Sequence, residues 1–245
     1  MNSGKNKINV YKLFITGIFI FVITNCKKEK NVEAIIETGI VTDIDNNIYK
    51  TIKIGNQWWM AENLKVKTFR NGIPIQFSQS DVQWKDPIGA YCIFDDNANA
   101  PGLLYNWYSV VDTNNLSPIG WHIPNDNEWK ELEKYLGMEQ SSADKQGWRG
   151  TKEGDKLKIE GAKGWTTYSV IWPTNEYGFY ALAGGCRLYN GVWGDPGLFA
   201  TGFWWSSSEV IGKGAYYRYL DYKKSNIFRS YTSKNYGFSI RCIKD

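Results

Sequence analysis

Histidine is almost missing from this chain: His122 is the only one in 245 residues. A histidine-based zinc site or a Ser-His-Asp triad has little material to be built from. Cysteine is scarce too, with four in all, at Cys26, Cys92, Cys186 and Cys242. No run of basic residues follows Lys30, which argues against a nucleic-acid surface. Long-range helical periodicity is sparse after one central segment. Aromatic and turn-forming residues take its place: 12 Trp, 16 Tyr and 24 Gly. Aromatics at this density favour strands, and glycines at this density favour turns. The balance of 42% hydrophobic and 22% charged residues is that of an ordinary packed globular protein.

The N-terminus reads as an export signal. Lys5, Lys7 and Lys12 precede an apolar run from Leu13 to Thr24, shorter than the roughly 20 residues of a membrane-spanning helix. The run ends in Val22-Ile23-Thr24-Asn25-Cys26, which resembles the lipobox of bacterial lipoproteins, with Asn25 departing from the usual small residue. Lipidation at Cys26 is expected, followed by the hydrophilic tether Lys27-Lys28-Glu29-Lys30. Removing residues 1–25 deletes three lysines and no acidic residue, so the formal charge falls from +4 to +1. The divisions expected are a signal peptide over 1–25, a tether over 26–38 and one domain over 39–245.

The clearest helix lies over 125–136. Asn125 is its N-cap, Glu128 the reciprocal half of a capping box, and Asp126 and Glu128 put negative charge at the positive end of the helix dipole. Trp129, Leu132 and Leu136 recur at helical spacing, and Gly137 is the expected stop. Glu128, Glu131 and Glu133 read as solvated helix charges. Ile40–Ile44 and Ile48–Ile54 form a hairpin, with Trp58-Trp59-Met60 a third strand of the same meander. Residues 64–84 form a long excursion and Gly89–Phe94 a strand. The apolar stretch 103–111 fits a buried helix or a buried strand equally well. Residues 141–164 are expected to be mostly surface loop. The last third is expected to be an antiparallel meander of strands at 179–182, 203–208, 215–222, 227–231 and 238–243.

Six segments in order carry a resemblance: Ile54 to Leu64 (Ile-Gly-Asn-Gln-Trp-Trp-Met-Ala-Glu-Asn-Leu), Leu104 to Tyr108, Gly120 to Pro124, Thr174 to Phe179, Trp204 to Glu209 and Gly237 to Cys242. Together they resemble the Fibrobacter succinogenes major paralogous domain, typical of exported and lipidated proteins of Bacteroidetes and Fibrobacteres. That family is distantly similar to the C-type-lectin-like fold shared with formylglycine-generating enzymes. The resemblance implies an α+β domain of C-type-lectin-like architecture, with antiparallel aromatic-rich sheets, the capped helix, and a second short helix over 103–111. Ser117 departs from the pattern, since many members carry a cysteine there. The paired cysteines by which the formylglycine enzymes work are not matched, because Cys242 is the only cysteine after Cys186.

No catalytic constellation, cofactor or firm metal site emerges. His122 reads as structural. Asp95, Asp96, Asn97 and Asn99 are a weak calcium candidate, but their spacing matches no complete calcium loop and a solvated turn is preferred. The three later cysteines permit three pairings of one bond, and Cys92 with Cys242 is preferred because both lie in strands expected at the heart of the sheet. The Trp204–Glu209 segment alternates one Trp inward and its neighbour outward. An outward Trp205 beside Glu209, Arg218 and Arg229 would form a ligand-binding face, a ring stacking and charges selecting. The expectation is therefore an outer-membrane lipoprotein at the cell surface, a non-catalytic binding or adhesion module for a glycan or an envelope or extracellular protein. The competing class is an enzyme acting on surface or extracellular polysaccharide.

Overall fold

The computed structural model describes residues 36–97, 99–160, 165, 173–194 and 197–245, of which 36–245 make one compact unit. Cys26 and the export segment lie outside the described residues. In chain order the described strands are β1 (Thr38–Thr42), β2 (Ile48–Ile54), β3 (Gln57–Met60), β4 (Gln76–Phe77), β5 (Ala90–Cys92), β6 (Leu104–Tyr105), β7 (Trp121–His122), β8 (Gly147–Arg149), β9 (Thr201–Val210), β10 (Gly214–Asp221), β11 (Ile227–Thr232) and β12 (Ile243–Lys244). The helices are α1 (Trp107–Val110), α2 (Asp126–Tyr135), α3 (Gln140–Ala143) and α4 (Glu153–Leu157). Strands outweigh helices, and the pairing is antiparallel throughout apart from β4 with β5 and isolated bridges.

Three sheets result: β1-β2-β3-β12-β7, β8-β11-β10-β9, and β4-β5-β6. Helix α2 starts as the sequence dictates. The Asn125 side chain accepts from Asn127 N and Glu128 N, and Glu128 Oε2 accepts from Asn125 N at 2.8 Å. Gly137, at φ 110°, ends it, a conformation that costs glycine little. Its apolar residues Trp129, Leu132 and Leu136 join Ile52, Ile54 and Trp59 of the first sheet and Trp204 and Leu220 of the second in one core. Trp129 meets Trp59 with ring centroids 4.9 Å apart and donates through Nε1 to Trp205 O. The helix thus ties the two large sheets together, each fully buried Leu contributing about 1.5–3 kcal/mol. A second core holds Tyr49, Met60, Tyr105, Trp107, Trp205, Phe238 and Ile240.

Four expectations change. Residues 103–111 divide into β6 and α1, because Asn106 leaves the strand to cap α1 through Ser109 N. The stretch 141–164 holds β8 and α4 as well as the end of α3. Residues 179–182 are no strand; Tyr180 has φ 52° and only Ala181 makes a bridge, to Lys158. Residues 238–243 leave the meander and run between the sheets. Phe238 bridges Tyr105, Ser239 bridges Trp204, and Ile243 pairs with Trp59 and His122.

Candidate functional site

The register of the four-stranded sheet decides which residues it offers to a ligand. One row across the strands is Trp204, Arg218 and Arg229, directly opposed in pairs. The next row is Phe203, Tyr219, Phe228 and Trp148. Successive rows point to opposite faces. The first row faces α2, so two of the four residues expected to form a ligand face are buried: Arg218 is 1% exposed and Arg229 4%. Trp205 lies on the outer side but is 0% exposed, because Phe238 covers it at 4.3 Å between ring centroids and its Nε1 donates to Tyr105 O. Glu209 alone remains exposed, and it pairs with Lys234 at 2.6 Å. The expected constellation does not assemble.

What Arg218 and Arg229 build instead is an ionic cluster under the sheet. Arg218 donates to Glu133 Oε1 (2.6 Å) and Asp126 Oδ1 (2.8 Å). Arg229 forks onto the two oxygens of Asp126 at 2.8 and 2.7 Å. Arg149, from β8, forks onto Glu133 at 2.7 and 2.8 Å. Glu133 is fully buried, so it is not the solvated helix charge its position in the sequence suggests. Burial alone would push Asp126 up, but Arg229 and Arg218 hold its carboxyl well below the usual carboxylate range. Burial outweighs Glu133 at Arg149 and lowers that guanidinium. Asp126 is thus held in the ionised form by guanidinium donors, and Glu133 receives three guanidinium hydrogen bonds. Asp126 and Glu133 stand seven residues apart on one helix face. That spacing, with two arginines on the inward parity of β10 and β11, is the sequence signal that could have revealed the cluster.

The outer row is aromatic from edge to edge. Trp148, Phe228, Tyr219 and Phe203 cross four strands, about 14 Å at ordinary strand spacing, and Tyr217 lies in the row behind; all five are half-buried. Phe203 stacks on Tyr219 at 4.4 Å with 3° between planes, and on Phe238 at 5.0 Å with 14°. Trp148 meets Tyr219 at 5.1 Å and Phe228 at 5.3 Å, both inclined. Phe203 is thus stacked between Tyr219 and Phe238, while Trp148 and Phe228 meet their neighbours at inclined angles. The Tyr219 hydroxyl donates to Asp221 Oδ2 at 2.6 Å, and Lys224 Nζ lies 6.0 Å from the Trp148 ring. Sequence reasoning missed Trp148 because β8 is three residues long, begins at Gly147 and is followed by Gly150, both at positive φ.

The remaining candidates resolve separately. His122 is bracketed by carboxylates, Nδ1 2.6 Å from Asp245 Oδ1 and Nε2 2.8 Å from Glu128 Oε1. Asp95 and Asp96 are exposed, and the Asn97 side chain accepts from Asn99 N. Among the described residues no group of three His, Cys, Asp or Glu is placed to hold a metal ion. The expected Cys92 to Cys242 bond is not formed. Cys92, Cys186 and Cys242 are all free and buried, Cys92 in a small core with Trp84 and Phe94 and Cys242 in the core of Tyr49 and Met60. Both belong to the heart of the protein, but of different cores. Burial pushes the Cys92 and Cys186 thiols up to about 12.

The family model described as the Fibrobacter succinogenes major domain matches residues 52–244. The chain belongs to this family. No curated protein and no solved structure matches it. Four of the six motifs that carried the resemblance to the Fibrobacter succinogenes major domain meet in space at a buried polar knot. Asn63 Oδ1 accepts from Trp204 Nε1 at 3.0 Å and Arg241 Nε at 2.9 Å, while its Nδ2 donates to Ser239 Oγ. Arg241 donates further to the carbonyls of Met60, Phe179 and Tyr180 and lies over the Phe179 ring. Burial lowers this guanidinium to about 9. In this Fibrobacter succinogenes major domain the signature residues at the knot hold the fold together, and the aromatic outer row lies largely outside the signature.

Proposed function

We propose that the chain is an exported lipoprotein, anchored through Cys26 at the outer membrane, whose domain has C-type-lectin-like architecture and serves as a non-catalytic binding module at the cell surface. Its contact surface is the outer face of the four-stranded sheet, and its ligand is an envelope or extracellular protein. The observation that carries this reading is the continuous half-exposed row Trp148, Phe228, Tyr219 and Phe203. Aromatic side chains give large contact area at low conformational cost and are enriched at protein interfaces. A sugar ring needs a free aromatic face, whereas Phe203 of this surface is stacked against both Tyr219 and Phe238. A closely packed apolar row with the hydroxyls of Tyr217 and Tyr219 suits a protein surface better. The binding reading is also supported by Asp126 and Glu133, which are held by arginines rather than open to a substrate.

The test uses the full chain on arrays of envelope proteins and glycans, with thermal melts alongside. Trp148→Ala is expected to weaken a protein ligand about tenfold or more while Glu209→Ala leaves it unchanged. Metabolic labelling with a fatty-acid analogue is expected to mark the wild type and not Cys26→Ala. Ligand binding unaffected by Trp148→Ala would remove the aromatic face from the proposal. Binding to glycans alone would change the ligand class, and equal labelling of both chains would remove the anchor.

A further inference from the structure

The edge of the five-stranded sheet has its own unused chemistry, independent of what the aromatic face binds. Among the described residues β1 pairs only with β2. Glu37 O accepts from Lys53 N, so the opposed pairs Gly39 with Thr51 and Val41 with Tyr49 are the hydrogen-bonded ones, and those of Thr38, Ile40 and Thr42 are not. Lys50, opposite Ile40, confirms this: its N–H donates to Glu62 and its carbonyl accepts from Ala61, both on the far side. The N–H and C=O groups of Thr38, Ile40 and Thr42 therefore point outward along the open edge, without partners among the described residues.

This edge lacks the usual protections. Thr38-Gly39-Ile40-Val41-Thr42 contains no charged residue and no proline, the devices that keep edge strands from pairing. Ile40 is 70% exposed, and Ile36 (54%) shares its parity on the same side of the sheet.

We propose that β1 is a self-pairing edge through which two copies of this chain join, antiparallel, about a two-fold axis at Ile40. The segment is complementary to itself in that register alone. Ile40 meets Ile40 of the second copy, Thr38 meets Thr42, and Gly39 meets Val41. With Ile40 as a hydrogen-bonded pair, all six outward backbone groups on each copy find partners, giving six inter-chain hydrogen bonds. The exposed isoleucines are brought together across the axis, and the cross-strand Thr pairs are of a favourable kind. A register displaced by two residues leaves outward groups unpaired at both ends. Strand pairs of five residues bury less than the roughly 1,200 Å² of a stable interface, so this contact is reversible and is best detected by trapping it.

Cysteine trapping in intact cells making the full chain tests it, with air oxidation catalysed by copper phenanthroline. In a hydrogen-bonded antiparallel pair the Cα atoms stand about 5.5 Å apart, within the span of a disulfide. Ile40→Cys is expected to give a linked dimer of twice the chain mass. The wild type and Ile48→Cys stay unlinked; Ile48 is 64% exposed but lies one strand further in, with its copies about 14 Å apart or more. On the purified full chain, Ile40→Lys is expected to lower the yield of chemical cross-linking about tenfold without moving the melting temperature. No dimer from Ile40→Cys, equal linkage from Ile48→Cys, linkage to a different polypeptide, or an unchanged yield in Ile40→Lys would each overturn the proposal.

Discussion

Asp126 carries two structural duties at once. At the first position of α2 it places negative charge at the positive end of the helix dipole, and its carboxylate receives Arg218 and Arg229. Replacing it with asparagine leaves Arg218 with Glu133 as its one carboxylate partner among the described residues, and leaves Arg229 with the carbonyls of Asp144 and Lys145 and no carboxylate. Breaking a buried pair in this way costs about 3–5 kcal/mol, so Asp126→Asn is expected to lose that much stability in urea unfolding, whereas Asp95→Asn, exposed, loses little. A loss under 1 kcal/mol in Asp126→Asn would mean that the arginines find other partners. His122 gives a second prediction. Its burial would lower the imidazole, but hydrogen bonds to Asp245 and Glu128 outweigh this and raise it. The protonated ring therefore stabilises the fold fully below the ordinary histidine value near about 6.5, and this contribution fades as pH rises through the raised folded value. Melting temperatures measured from pH 5 to 9 are expected to show the advantage of wild type over His122→Gln shrinking toward alkaline pH. A difference independent of pH would exclude the charged clamp.

At the scale of elements, parity is the lesson of the second sheet. Alternation in β9 through β11 was legible, and so was a difference in facing between Trp204 and Trp205. Which row lay over α2 was not, because both parities carry aromatics and the arginines read as surface charges until Asp126 and Glu133 are seen opposite them. The outer parity is itself divided, buried at Trp205 by the returning segment 238–242 and half-exposed at Trp148, Phe228, Tyr219 and Phe203. Trp205→Ala is accordingly expected to destabilise by about 3–5 kcal/mol in thermal or urea unfolding. A loss near 1 kcal/mol or less would show that Trp205 is not the core residue its burial indicates. The capped α2 was fully readable because its cap, dipole and apolar stripe are local in sequence. β8 was not, since two residues between glycines carry no period.

For the molecule as a whole, the turn-rich antiparallel character, the β1–β3 meander, α2 with its cap and the family followed from residues near one another in sequence. The order of six motifs was enough for membership because each is a short local string. Tertiary structure alone decided the rest. It carried the C-terminal strand back beside Trp59 and His122, gathered Asn63, Trp204, Ser239 and Arg241 from distant positions, and placed Cys92 and Cys242 in separate cores. It also left β1 as an open edge. Periodicity reports which side chains share a face, but burial depends on what the chain later lays over that face. Those long-range contacts separate Arg218, a buried structural charge, from Trp148, which stays half-exposed.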